Sequence, residues 1–134
     1  MSIAYSFEPE LTAEAFRDVL QTSGLAERRP AEDLQRLDRM LRQADIIAVA
    51  RDGALIVGVA RAISDFSYCC YLSDLAVDKA YQGQGVGKRL IEDVHAKAGA
   101  QTSLILVAAP AAETYYPHIG MNRLASAWSR PREG

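Results

Sequence analysis

Gly83, Gly85 and Gly87 fall at alternate positions between an apolar stretch at 72–77 and a run of helical spacing at 86–98. Glycine lets backbone approach a ligand closely, and the first turn of a helix offers unpaired N–H groups and a partial positive charge. An apolar strand, a glycine-dense turn and a helix start, in that order, make an anion site out of backbone, suited to phosphate. So many glycines would be costly in a mere connection, so the turn is expected to bind a ligand. Lys88 and Arg89 follow directly, as phosphate contacts or as ordinary surface residues.

Spacing decides among the phosphate motifs. A nucleotide P-loop needs glycine, four residues, then Gly-Lys-Ser/Thr. Gly87-Lys88 supplies the end of it, but Gln82 and Arg89 occupy the outer positions. A dinucleotide fingerprint needs G-x-G-x-x-G, and Lys88 stands where its third glycine belongs. Both fail. What remains is Gln-x-x-Gly-x-Gly, Gln82 to Gly87, preceded by Asp74-Leu75-Ala76-Val77-Asp78.

Other side chains offer less chemistry. Cys69 and Cys70 are neighbours, and adjacent strand residues point to opposite faces, so they are expected to be free thiols. No CxxC, HExxH or Cys/His cluster occurs, and no metal site is expected. His95 falls on one helical face with Lys88 and Glu92 and is expected at solvent, as is His118. Arg28-Arg29 reads as a solvated charge pair, with a substrate-side feature as the alternative.

The elements that must position the turn follow from periodicity. Residues 2–8 alternate as a short strand. Thr12 can cap a first helix that stops near Gly24, and Pro30 suits the first turn of a second helix carrying Leu34, Leu37, Met40 and Leu41. Residues 46–50, 55–63 and 68–77 read as three strands of a meander, with Asp52-Gly53 as a hairpin turn. The helix after the glycines turns Val86, Leu90, Ile91, Val94 and Ala98 inward. A strand at 103–109, parallel to its predecessor, a short helix at 110–116 and an edge strand at 121–128 complete the chain, and 129–134 is a loose tail. The order β-α-α-β-β-β-α-β-α-β predicts an α/β fold, a mixed sheet with helices on both faces.

Composition narrows the class further. A chain of 134 residues, 49% hydrophobic and 24% charged, is one ordinary globular domain covering residues 1–134. A net charge of −2 argues against a dedicated nucleic-acid binder, and no apolar run is long enough to span a membrane. The first residues lack the layout of a secretion signal, and free thiols suit a cytoplasmic location.

The 82–87 pattern, the Leu-Ala-Val strand before it and the element order together resemble motif A of the GNAT superfamily, the acyl-CoA-dependent N-acyltransferases. Tyr115-Tyr116-Pro117-His118-Ile119-Gly120-Met121 is similar to the family's later Phe-Tyr-x-Lys-x-Gly-Phe. The resemblance implies acetyl-CoA as co-substrate, its pyrophosphate held by backbone N–H groups of Gln82, Gly83, Gln84, Gly85, Val86, Gly87 and Lys88. It implies a pantetheine arm along Leu75, Ala76 and Val77, and Tyr116 as the acid facing the departing thiolate. An alkylamine acceptor must lose a proton before attack, and Asp74 is the nearest candidate base by sequence. Proline and histidine at 117 and 118 depart from the commoner residues, as does Ala111-Ala112 where the family often has asparagine. The implied activity is N-acetylation of a primary amine, on a small molecule or a protein, with homodimerisation common in the family. A non-catalytic acyl-CoA-binding module is the alternative. Phe66, Tyr68 and Tyr71 could line the acceptor pocket or pack against the first two helices.

Overall fold

The apolar run at 46–50 is buried at every position, so it must lie inside a layered structure. In the computed structural model, which describes residues 2–133, it opens strand β2 (Ile46–Asp52). Around it lie β1 (Ile3–Phe7), β3 (Leu55–Ser64), β4 (Cys69–Val77) and β5 (Ser103–Ile105). The sheet order follows the chain from β1 to β5, antiparallel except for the parallel β4–β5 pair. Helices α1 (Ala13–Ser23) and α2 (Leu34–Arg42) cover one face, burying Phe16, Leu20, Leu37 and Leu41 against Ile47, Val49 and Val59. Helix α3 (Val86–Ala98) covers the other, packing Leu90 and Val94 onto Ile46, Ala48, Val57 and Ala60. The expected mixed sheet flanked on both faces is therefore the observed one, and all five inward residues expected of α3 are buried.

Local chemistry sets the helix ends. The Thr12 hydroxyl accepts from the Ala15 N–H at 3.1 Å, and α1 closes on Gly24 with φ of 85°. The second helix does not open at Pro30. Residues Leu25–Arg28 form a 3-10 turn, and α2 begins at Leu34, because the Asp33 carboxylate accepts from the Arg36 N–H at 3.0 Å and supplies the cap.

Two later elements also differ from expectation. Strand β5 ends at Ile105 rather than continuing to 109. The edge strand expected at 121–128 does not form, although the mixed-sheet fold stands without it. An edge strand needs one buried face as well as a ladder, and here Leu124 is 52% and Trp128 95% exposed. The last strand's place is taken by an exposed segment without helix or strand, which continues to residue 133.

Helix α3 lies directly on β3 at Gly58, where an added Cβ would stand 2.9 Å from Leu90 Cδ1 and 3.1 Å from Val86 Cγ1. Gly58→Val will therefore lift α3 off the sheet. A loss of about 1–3 kcal/mol is expected from overpacking of this kind, read as a lowered midpoint in urea unfolding.

Candidate active site

Strand β4 carries the site because only a third of it is paired on its outer side. Strand β5 pairs with Cys69, Cys70 and Tyr71 alone, which leaves β4 from Leu72 to Val77 with an open edge. In a strand, the N–H and C=O of one residue point to the same side and alternate along the chain. The Asp78 N–H bonds back to Val57 C=O on β3, so the main-chain groups of Val77 and Leu75 face the open edge. The Gln82 side-chain amide donates to the Val77 carbonyl at 3.0 Å, in agreement with that direction. Ala76 faces the other way on both counts: it pairs with Val59 of β3 and packs into the core under α1 and α2.

The open edge leads straight into the glycine turn. Gly83 and Gly85 have φ of 80° and 85°, and an added Cβ at either would meet nothing within 4 Å. Their requirement is therefore conformational. Gly87 differs: its Cβ would meet the Tyr115 hydroxyl oxygen at 2.8 Å, so its requirement is space. Helices α1 and α2 are capped by side chains, but α3 starts at Gly85 with no side-chain cap. The Lys88 N–H meets the Tyr115 hydroxyl, and the N–H groups of Val86 and Gly87 are left for another acceptor. Lys88 is exposed and lines the cleft, whereas Arg89 turns away, pairing with Asp93 at 3.0 Å and lying 4.4 Å from the Tyr5 ring centroid.

A cleft of about 1070 Å³ runs from this turn along β4. Leu75 and Val77 form one wall, Leu106, Val107 and Pro110 the other, and Gly83, Gly85 and Gly87 the end. Where residues 106–109 leave the sheet, the cleft begins, so the early stop of β5 is what opens it. Lys79 also lines the cleft, and its side chain lies over Gly24, against the carbonyl end of α1.

Two tyrosines come in from a one-turn helix, α4 (Tyr115–His118), with ring centroids 5.2 Å apart and edge-on. Both line the cleft. Tyr116 packs partly against the α3-side core. Its hydroxyl has no hydrogen-bond partner among the described residues, and no buried side-chain oxygen there lacks one, so the hydroxyl is open to solvent on a residue that lines the cleft. Burial pushes the Tyr116 phenol above its ordinary range, and Tyr115 beside it adds to the effect. Burial also raises Tyr115, with the Lys88 backbone N–H acting against it. Tyr115, not singled out from the sequence, is the phenol that reaches the α3 N-terminus.

Asp74 lies elsewhere. It is 1% exposed and turned from the cleft, and both its oxygens are taken. Arg29 Nε donates to Oδ1 at 2.5 Å, and Arg61 Nε donates to Oδ2. Arg29 is accordingly no solvated residue. Neither Arg29 nor Arg61 was picked out by spacing, yet Arg61 carries a readable signal: a charge inside the apolar run 55–63 demands a buried partner. His95 likewise turns inward, its Nε2 2.8 Å from the Thr102 carbonyl. Tyr68 and Tyr71 are exposed, at 79% and 42%, and do not pack under α1 and α2. Cys69 and Cys70 are free thiols, one exposed and one buried. Among the described residues no group of three metal-ligating side chains occurs, and no helix is long and apolar enough to cross a membrane.

Comparison with known proteins agrees with this geometry. A Staphylococcus aureus protein described as a probable acetyltransferase superposes with a TM-score of 0.82 at 18% identity, over 99% of this chain and 100% of that one. The structure of AAC(6')-Iy in complex with the bisubstrate analogue CoA-S-monomethyl-acetylneamine gives 0.72 at 17% identity, over 98% and 99%. In sequence, a 37-residue stretch is 51% identical to the histone acetyltransferase TAP1 of Glycine max, which is 28% of this chain and 16% of that relative's length. The family model described as "Acetyltransferase (GNAT) domain" matches residues 10–129. The chain belongs to the GNAT family of acetyltransferases.

Proposed function

We propose that the protein transfers an acetyl group from acetyl-CoA to a primary amine by direct attack of the amine on the thioester carbonyl. The observation that carries this reading is the bare edge of β4 running into an uncapped helix start. The residues fit the donor: the first-turn N–H groups of α3 and the backbone from Gln82 to Lys88 suit a pyrophosphate, and Gly87 leaves room for it. Leu75 and Val77 offer main-chain groups to a pantetheine amide, and Lys79 and Lys88 add positive charge. Bound acetyl-CoA would supply the activated acyl group. The structure of AAC(6')-Iy, a protein of the same fold, in complex with a CoA-containing bisubstrate analogue supports acetyl-CoA as the donor.

Tyr116 holds its proton through the working range and gives it to the departing thiolate. Asp74, with both oxygens on guanidinium groups, is not the base in this reading. The amine's proton passes to water in the cleft.

Tyr116→Phe should lower kcat by about 100-fold, the usual worth of a positioned acid, with KM for acetyl-CoA little changed. The pH profile adds a sign. A phenol raised above its ordinary 10.0 keeps its proton through neutral and mildly alkaline pH, so this contribution is lost only as pH rises beyond that value. Steady-state kinetics from pH 7 upward check both. An unchanged kcat in the phenylalanine variant would remove Tyr116 from the acid role.

A further inference from the structure

The densest charge cluster among the described residues lies behind β4. The β3–β4 register shifts there: Arg61 pairs with Asp74, but Ala62 pairs with Leu72, so Ser73 is an extra residue without a partner on β3. Such a bulge bends its strand and leaves a peptide group to be satisfied by something else. Arg29 satisfies its carbonyl, and Arg61 holds the side chain of the same residue. Arg29 donates from Nε to Asp74 and from Nη2 to the Ser73 carbonyl at 2.7 Å. Arg61 donates from Nε to the other Asp74 oxygen and from Nη2 to the Ser73 hydroxyl at 2.9 Å. Each is also anchored outside the bulge, Arg29 Nη1 on the Arg28 carbonyl and Arg61 Nη1 on the Met40 carbonyl in α2.

The place matters as much as the bonds. Ser73 lies two residues past Tyr71, the last residue of β4 paired with β5, so the bulge sits where the two strands part. Ser73 and Arg29 both line the cleft at that point. A buried ion cluster is seldom a net gain in stability over packed apolar side chains. Two forks on one bulged residue, one at its carbonyl and one at its hydroxyl, have a more specific use.

We propose that Arg29 and Arg61 are positioning residues of the transfer site: anchored on Asp74, they grip Ser73 from behind and hold β4 bulged away from β5. The width of the thioester slot is then set by side chains anchored on Asp74 and not by strand pairing alone. The Arg29 side chain comes from the connection between α1 and α2, so the same contact ties that segment to the donor strand. This inference rests on the acetyl-transfer reading.

The test uses the full chain and four readouts: kcat with acetyl-CoA and an accepted amine, CoA affinity by calorimetry, amide hydrogen exchange at 72–75, and thermal unfolding. Arg29→Met should lower kcat about 30-fold through misplacement of the reacting groups, leave CoA affinity within about threefold, and speed exchange at 72–75. Arg29→Lys retains the charge on Asp74 but cannot hold the Ser73 carbonyl at the same time. It should recover thermal stability without recovering kcat. A purely structural role predicts instead that both return together, and that result overturns the proposal. Ser73→Ala keeps both arginines on Asp74 and serves if the methionine variant does not fold. It should lower kcat about fivefold, and an unchanged kcat with unchanged exchange also overturns the proposal. If the unmodified protein shows no amine-dependent turnover, the transfer reading fails by itself. Exchange at 72–75 then still decides whether the clamp exists.

Discussion

Asp74→Ala is expected to cost about 3–5 kcal/mol, the penalty for removing one partner of a buried ion pair. The carboxylate is buried and is the shared acceptor of Arg29 and Arg61, whose side chains are 22% and 7% exposed. Without it, two guanidinium groups face each other with no counter-charge, and little water reaches Arg61. A loss of this size is a large share of the roughly 5–15 kcal/mol that holds a domain of ordinary stability together. Urea unfolding followed by circular dichroism should show a large fall in midpoint, or no folded population. Asp74→Asn keeps the shape but loses the charge and one acceptor oxygen, and should fall between. A catalytic base would behave otherwise: the asparagine variant would stay as stable as the parent and lose turnover alone.

Gly87→Val should abolish donor binding in a protein that stays folded. Gly87 sits in the first turn of α3 without a left-handed φ, so a side chain does not strain the backbone there, and helix propensity improves. The new methyl groups would stand where a Cβ already comes 2.8 Å from the Tyr115 oxygen, in the first turn of the helix. A rise in CoA dissociation constant of at least about 100-fold is expected, equivalent to roughly 2.7 kcal/mol. Thermal unfolding should move little. Calorimetric titration with CoA and a melting curve on one sample separate loss of binding from loss of fold.

The glycine turn and the helix after it are more legible in the sequence than the rest, and the reasons are physical. Left-handed turns and close approaches need glycine at fixed offsets, and Gly83, Gly85 and Gly87 meet those needs whatever surrounds them. The inward face of α3 follows from helical period alone. Strand β5 is another matter. Residues 104–107 are apolar enough for a longer strand, but pairing with β4 stops at Tyr71, two residues before the Ser73 bulge, and β5 ends with it at Ile105. Asp74 looked available because its partners lie far off in the chain. Arg61 is 13 residues before it and Arg29 is 45 before it, in a turn without periodicity. The edge strand at 121–128 depends on whether its apolar residues find a face to cover, which no local pattern decides.

The most direct measurement is release of free thiol from acetyl-CoA by the purified protein, followed across a panel of polyamines, amino acids, arylalkylamines and aminoglycosides. Thiol release that depends on an amine, with one acetylated amine formed per thiol, is the predicted result. Tight binding of acetyl-CoA with no amine-dependent release across the panel would contradict it, and would leave the cleft as a binding site without transfer.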